Sequence, residues 1–274
     1  MTAATATTTT VLPRGRELSA RVGVLGGLQQ TLTMAWRTVI RVRHNPQELA
    51  DISFMPIMFT LLFTYVFGGA ISGSRSDYLQ FMIPGMLVMS MLFATLNVGT
   101  GINTDLSKGM FDRLRSLPIA RWAPFAGRIL GDQFKQIWSV LLIIGVGLIL
   151  GFRPESWPGV LGASVLLLVF AAAFSWVPVL VGIMARDAEK VQIFGFAVIL
   201  PLNFVSGVFA PTDTMPGWLD AFAQVNPVGI LLIAARSLVD GEPDTAAVVW
   251  SLVWAAGIVL VFGALSVRAL KRRV

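Results

Sequence analysis

The sequence contains no cysteine and a single histidine, His44, which excludes a disulfide framework, a thiolate metal site and a zinc site built from several histidines of one chain. Charged residues are also scarce, at 13% of the chain against about 25% in a typical soluble domain. Hydrophobic residues make up 55% of the 274 residues, and the mean hydropathy is +0.74. This composition argues against a soluble enzyme and predicts an integral membrane protein.

The apolar residues are gathered into long segments without charge. A helix needs roughly 20 apolar residues to cross a bilayer. Six charge-free windows approach or exceed that length: 52–74, 78–104, 136–152, 160–185, 191–212 and 245–267. The third is short, but it can be extended backward because Arg128, Asp132 and Lys135 are spaced by four and three and can pair on one helix face. We therefore expect an all-α protein with six transmembrane helices over residues 46–270.

The segment before the first window has a different pattern. Residues 1–24 begin with a threonine-rich tract and are expected to form a disordered cytoplasmic tail. Over 25–45, apolar residues such as Leu28, Leu32 and Trp36 recur at helical spacing with arginines between them. This pattern is typical of an amphipathic helix that lies on a membrane surface.

The basic residues are distributed unevenly, although the net charge is only +6. If the N-terminus is cytoplasmic, 18 of the 21 lysines and arginines fall on the cytoplasmic side, including those of the basic tail at 271–274. Only Arg75, Arg153 and Arg236 then fall outside. The positive-inside rule therefore predicts that both termini are cytoplasmic. The basic excess is a topological signal, and we expect no nucleic-acid partner.

The loop at 105–121 is the most informative segment between two windows. Its apolar residues can line one face of a short helix that ends before Pro118, with basic residues on the other faces. Two interpretations remain open. The basic residues either enforce topology while the apolar face rests on lipid, or the helix docks into a cytoplasmic partner.

Two sets of motifs carry a resemblance to a known family. FDRLRSLPI at 111–119, followed by GRILGD at 127–132, resembles the hallmark loop of ABC-2 type exporter permeases, and it is most similar to the daunorubicin-resistance (DrrB-like) drug-exporter branch. SGVFAP at 206–211, MPGWL at 215–219 and NPV at 226–228 resemble the proline-rich element after the fifth span of that family. The resemblance covers about residues 30–270.

This resemblance implies a type V exporter fold in a bacterial cytoplasmic membrane, with 25–45 as the connecting helix and 105–121 as the coupling helix. It also implies two copies of a cytoplasmic ABC ATPase and a second copy of this chain, or a similar permease, as partners. The residues expected to contact the ATPase are Met110, Phe111, Asp112, Arg113, Leu114, Arg115 and Leu117.

The chain lacks an energy source of its own. A P-loop requires Gly-Lys followed by Ser or Thr, but none of the four lysines follows a glycine. A proton relay usually needs ionisable residues within spans, and the six windows have none. We therefore expect a transport subunit that is not an enzyme and binds no cofactor or metal, with ATP and Mg on the partner subunit.

The external segment 211–244 contains two short helical patterns, 216–224 and 227–239, each opened by a proline that suits a first turn. Neither is long enough to cross the membrane, so we expect a re-entrant pair. It is interpreted either as an outer gate or as a lid that only seals the bundle. The candidate gate residues are Pro216, Trp218, Phe222 and Pro227.

Within the windows, Met82, Met86 and Met89 share one helix face, and adaptable methionines suit either core packing or an apolar substrate pathway. The uncharged polar residues Asn97, Asn203 and Ser206 either join helices or contact substrate. Export of a hydrophobic or amphipathic drug is the predicted function. The alternatives are a lipid or glycolipid exporter on the same scaffold, and a secondary transporter that works without an ATPase.

Overall fold

The computed structural model describes residues 24–44, 46–71, 74–109, 122–209 and 216–273, and these ranges contain helices and no β-strand. The all-α expectation is therefore confirmed for this part of the chain. A π-helical turn at Val259–Gly263 interrupts the last long helix, Thr245–Arg272. The helices are α1 (Val24–Arg43), α2 (Pro46–Ile71), α3 (Arg75–Ser107), α4 (Ala123–Leu150), α5 (Trp157–Phe174), α6 (Trp176–Met184), α7 (Ala188–Val205), α8 (Gly217–Val225), α9 (Pro227–Val239), α10 (Thr245–Ile258) and α11 (Ala264–Arg273).

Small polar residues between the apolar segments begin several of these helices. The Ser74 hydroxyl accepts a hydrogen bond from the Asp77 backbone N–H at 3.1 Å, and Ser156 does the same for Gly159 at 3.0 Å. Asp187 caps α7 through the Lys190 backbone N–H at 2.9 Å. Such caps satisfy backbone donors that have no partner inside the helix, which explains why the helices begin at these residues.

Five helical segments are long and apolar enough to cross a membrane: Ser76–Ser107, Ala123–Leu150, Trp157–Met184, Ala188–Val205 and Thr245–Arg272. The bent pair α8–α9 makes a sixth if it is counted as one span. The predicted first span corresponds to α2, whose apolar part, Ile52–Val66, is shorter than these segments. Five of the six predicted spans are therefore matched by helices long enough to cross, and the sixth candidate is the pair α8–α9 instead of the predicted first span.

The long helix α3 lies at the centre of the fold and packs against α2, α4, α5, α6, α7 and α9. Its closest neighbour is α6. A Cβ atom at Gly99 would overlap the carbonyl oxygen of Pro178, and one at Gly182 would overlap the carbonyl oxygen of Gly99. One turn further along α3, the Asn103 side chain donates to the carbonyl oxygens of Gly182 and Ala185, both at 2.9 Å. Small residues and one amide therefore hold α6 against the central helix.

The N-terminal helix α1 packs along the first half of α4. Gly127 and Gly131 allow this approach, since a Cβ at either position would overlap a side chain of α1. Thr31 and Ala35 face inward and are buried, whereas Leu32 and Trp36 are both 63% exposed. The helix therefore presents an apolar surface away from the bundle.

Candidate functional site

A groove of about 810 Å³ runs along one side of α3. Residues of α2, α4 and α7 form its other walls. Along α3 it extends from Met89 to Asp105, which at 1.5 Å per residue is about 24 Å. A groove of this volume and length could hold an elongated small molecule.

The two ends of the groove differ in polarity. Toward the middle of α3 the lining is mainly apolar, with Ser90 as its polar member: Met55, Pro56, Phe59, Met89, Phe93, Phe196 and Leu200 are the apolar side chains. The rings of Phe93 and Phe196 lie 4.9 Å apart between centroids and join the α3 and α7 walls. Toward the end of α3 the lining becomes polar and charged: Asn97, Thr100, Thr104, Asp105, Lys108, Arg128, Lys135 and Gln192. The groove is therefore amphipathic along its length.

An ion-pair network forms the charged end. Arg128 lies between two carboxylates, with Nη1 3.3 Å from Asp105 and Nε 3.3 Å from Asp132. Lys135 Nζ is 3.1 Å from the second carboxylate oxygen of Asp132. The predicted pairing of Arg128, Asp132 and Lys135 along one helix is thus observed. Such pairing lowers the cost of placing charges at membrane depth.

The structure separates the residues that the sequence grouped as a substrate pathway. Met89 and Asn97 line the groove. Met82 and Met86 are each 0% exposed and belong to the hydrophobic core, so the methionine face serves packing at those two positions. Asn203 and Ser206 are also buried, away from the groove lining.

Ser206 and Asn226 connect the end of α7 to the start of α9. The Asn226 side chain donates to the Ser206 hydroxyl at 2.6 Å, and its oxygen accepts the Val228 backbone N–H at 3.0 Å. Asn226 is therefore the N-cap of α9 and also a tertiary contact. Ser206 was expected either to join helices or to contact substrate, and in the structure it makes a hydrogen bond that joins two helical elements.

The guanidinium of Arg236 forms a second connection of α9. Its Nη2 donates to the carbonyl oxygen of Gly207 at 2.9 Å and to that of Phe81 at 3.3 Å. Its central carbon also lies 3.8 Å from the centre of the Phe81 ring. Arg236 thereby joins α9 to α3 and to the turn that follows α7, a role that its position in the sequence did not indicate.

The predicted external pair is observed as α8 and α9, which bend by 76° at their junction. Pro216 caps α8, and Pro227 is the first residue of α9. Trp218 is 75% exposed and Phe222 52% exposed, so both rings point away from the bundle. The geometry is compatible with both the gate and the lid interpretation.

The predicted ATPase-contacting residues, Met110 to Leu117, lie outside the described residues. Residues 105–107 complete the last turn of α3, and the backbone N–H of Lys108 donates to the Thr104 carbonyl. The charged end of the groove is therefore directly followed in sequence by this segment.

Sequence reasoning missed Asp105 as the second carboxylate of Arg128, because the two residues are 23 positions apart and on different helices. It also missed Asn103. For Asn226 a local signal existed, since Asn followed by Pro is typical of a helix start. In the part of the chain that the structure describes, no three histidine, aspartate or glutamate side chains could share a metal ion.

Comparisons with known proteins agree with this architecture. Residues 29–239 match the family model of the ABC-2 type transporter. The chain is 39% identical to the daunorubicin resistance ABC transporter permease protein DrrB1 of Streptomyces coeruleorubidus, over 89% of this chain and 86% of that protein. It is 26% identical to the probable doxorubicin resistance ABC transporter permease protein DrrC of Mycobacterium tuberculosis, over 85% and 84%. It is 24% identical to the inner membrane transport permease YadH of Escherichia coli, over 76% and 80%. The chain belongs to the ABC-2 type transporter family of membrane permeases.

Proposed function

We propose that this chain is the membrane subunit of an ATP-driven exporter that moves hydrophobic or amphipathic compounds, with a drug as the principal cargo class. The observation that carries the proposal is the groove beside α3, whose apolar and charged ends match the two parts of an amphipathic molecule. The names of two relatives, which refer to daunorubicin and doxorubicin resistance, support a drug as cargo.

The energy comes from two copies of a separate ABC ATPase, which hold ATP and Mg. The segment 105–121 is the coupling helix that receives the motion of the ATPase dimer. Because Asp105 is the last groove-lining residue of α3 and Lys108 follows it, a displacement of this segment would act directly on the charged end of the groove. Phe111, Arg113 and Arg115 are the proposed docking residues.

The pathway is completed by a second copy of this chain or by a similar permease, in a type V arrangement. In this arrangement α2 is the first span, and α1 lies at the cytoplasmic membrane surface, where its exposed Leu32 and Trp36 contact lipid. Both termini are cytoplasmic in the bacterial plasma membrane, with tails at 1–24 and 271–274.

The pair α8–α9 forms the outer gate. In this role α9 is the fixed element, because Asn226 and Arg236 tie it to α7 and α3, and the exposed face of α8 contacts lipid. A lipid or glycolipid is the alternative cargo, because a headgroup and acyl chains would divide between the two ends of the groove in the same way.

The test is transport in vesicles that contain this chain and its ATPase. We expect ATP-dependent accumulation of a fluorescent hydrophobic drug such as daunorubicin in inverted vesicles. The double variant Phe111→Asp, Arg113→Glu should abolish coupling, because it replaces an apolar anchor and reverses a charge at the docking surface. The matched control, Phe111→Leu with Arg113→Lys, keeps both properties and should transport at close to the wild-type rate.

Normal transport by the Phe111→Asp, Arg113→Glu variant would contradict the coupling role of this segment. Gradient-driven flux through the purified chain without any ATPase would overturn the exporter proposal in favour of a secondary transporter. If a labelled lipid moves in an ATP-dependent way and the drug does not, the cargo is a lipid and the drug assignment is wrong.

A further inference from the structure

The helices α3 and α7 run in opposite directions along the groove. As the residue number rises along α3, it falls along α7 and the residues that follow it in three close pairs: Gly85 with Val208, Phe93 with Phe196, and Leu96 with Gly195. A turn of α-helix is about 3.6 residues. One turn from the Phe93–Phe196 pair, toward the charged end, the two helices therefore present Asn97 and Gln192 at the same level, and both line the groove. We call these two residues the amide layer.

The side chains of the amide layer have no hydrogen-bond partner within the ranges that the structure describes. Both residues are exposed, so their amides are accessible from the groove. A side-chain amide carries two N–H donors and an acceptor oxygen. Because an unpaired amide in apolar surroundings costs free energy, the two amides favour a molecule that brings hydrogen-bonding groups of its own.

Ser139 of α4 adds a third neutral group. It is 4% exposed and lines the groove, and its hydroxyl forms no hydrogen bond within the described part of the chain. Ser175 and Ser251, which are also buried, instead donate to the carbonyl oxygen four residues before them. A buried hydroxyl that makes no bond to its own helix is available to a bound molecule.

The charged side chains of the groove are a poorer basis for recognition. They are bound to one another in the ion-pair network of Asp105, Arg128, Asp132 and Lys135. Lys108 follows the end of α3, about 16 Å from Asn97 along the helix axis. Cargo that bound through its charge would have to break the network, whereas hydroxyl, carbonyl and amide groups meet partners in the amide layer that the described residues leave unpaired.

We propose that the groove selects cargo by neutral hydrogen bonds, and that Asn97 and Gln192 determine its specificity. The cargo class is an apolar body, ring systems included, that carries hydroxyl, carbonyl or amide groups. Its body packs against Phe93 and Phe196, and its polar groups bind the amide layer one turn away. The inference rests on the proposed function where it takes the bound molecule to be cargo, and it applies to drugs whatever charge they carry.

The shape of the groove favours cargo over a second copy of the chain as the partner of the amides, because a concave groove of about 810 Å³ has the size of a small-molecule site. A site that hydrogen-bonds a substrate discriminates against an analogue without the bonding group, since its own polar groups are then left unpaired. The amide layer is therefore expected to reject compounds of the right shape that lack these groups.

The binding preference can be measured on the purified full chain in nanodiscs of zwitterionic lipid. The probes are three pyrene compounds of similar length that differ in their end group: pyrenebutanamide, pentylpyrene and pyrenylbutyl trimethylammonium. Their affinities are expressed relative to partition into empty nanodiscs. Because two neutral hydrogen bonds contribute about tenfold or more in affinity, the amide probe should bind about tenfold more tightly than either of the others. Daunorubicin, which has hydroxyl and carbonyl groups on a flat ring system, should displace it.

The variant Asn97→Leu, Gln192→Met nearly keeps the side-chain volumes and removes both amides, so the three affinities should come to within about twofold of one another. Gln29→Leu is the matched control, because it removes an exposed amide of α1 outside the groove and should keep the preference. Phe196→Leu should weaken all three probes by a similar factor, since the ring contacts only the apolar body. If the double variant has a lower melting temperature than the control, Gln192→Met alone replaces it, and the amide preference should then fall to about threefold.

Equal affinity for the three probes, tighter binding of the trimethylammonium probe, or an unchanged preference in the variants of the amide layer would overturn the inference. If the double variant changes the oligomeric state of the chain, measured by native mass spectrometry, and keeps the preference, the amides contact a second copy and the inference is wrong. Each of these results would leave ATP-dependent transport and its dependence on Phe111 and Arg113 intact, so failure of this inference is distinguishable from failure of the exporter proposal.

Discussion

The guanidinium of Arg236 lies 3.8 Å above the ring of Phe81, and the same side chain donates to the carbonyl oxygens of Phe81 and Gly207. One residue of α9 thus contacts the central helix α3 through both its backbone and its ring. A buried arginine can be tolerated when its charge is stabilised by hydrogen bonds and by an aromatic face. This contact fixes the position of the helical pair α8–α9 on the bundle.

Replacing this arginine should loosen the external pair. Arg236→Ala removes two hydrogen bonds that a charged group donates and a cation–π contact, so we expect a loss of about 2–4 kcal/mol in unfolding free energy. The unfolding free energy of Arg236→Lys should lie between those of Arg236→Ala and wild type, because an ammonium cannot present the planar set of donors of a guanidinium. The measurement is thermal unfolding in detergent, followed by tryptophan fluorescence. Arg153→Ala is the control, since that side chain is exposed, and an equal melting temperature for Arg153→Ala and Arg236→Ala would refute the anchor.

Asn226 should be energetically coupled to Ser206. Asn226→Ala removes the N-cap of α9 and the 2.6 Å hydrogen bond to Ser206, for an expected cost of about 1–3 kcal/mol. Ser206→Ala should cost less, because the cap remains. A double-mutant cycle on unfolding free energy measures the coupling, which we expect to be about 0.5–1.5 kcal/mol. A coupling indistinguishable from zero would mean that the two residues act independently.

The glycine contact between α3 and α6 should be intolerant of any side chain. Gly99→Ala and Gly182→Ala each place a methyl group against a backbone carbonyl, which cannot move without displacing a helix. We expect a destabilisation of about 1–3 kcal/mol for each. Gly145→Ala and Gly257→Ala are helical controls with open space around the new methyl, and they should be neutral or stabilising by up to about 1 kcal/mol. Equal melting temperatures for all four variants would contradict the close packing.

The cap of α7 should make stability depend on pH. The pKa of Asp187 is held below its ordinary value of 3.8, first because the carboxylate accepts the Lys190 backbone N–H and then because it bonds the Lys190 side chain. A lowered pKa in the folded state means that this stabilisation is present above the ordinary pKa and is lost as the pH falls through the folded one. Melting temperatures of wild type and Asp187→Asn should therefore differ most near neutral pH and converge below about pH 4. If the difference in melting temperature between the two proteins stays constant as the pH falls, ionisation of Asp187 does not contribute to stability.

Local patterns were sufficient for much of this protein. Apolar length predicted the helices that can cross a membrane, and the spacing of Arg128, Asp132 and Lys135 predicted their pairing along α4. The proline positions predicted the two helices of the external pair. These three predictions depend on contacts within four residues, on local backbone preference or on the partition of side chains between water and lipid. Each of these properties can be derived from the sequence alone.

Tertiary structure decided which helix faces meet. Met82, Met86 and Met89 lie on one face by sequence, yet only Met89 reaches the groove, because α3 is surrounded by other helices over the rest of its length. Asp105 and Arg128, Ser206 and Asn226, and Phe81 and Arg236 come together from different helices. Because much of this chain is apolar, hydropathy alone does not distinguish a helix face that packs against protein from one that contacts lipid. The amphipathic groove therefore emerges only when the packing of α2, α3, α4 and α7 is known.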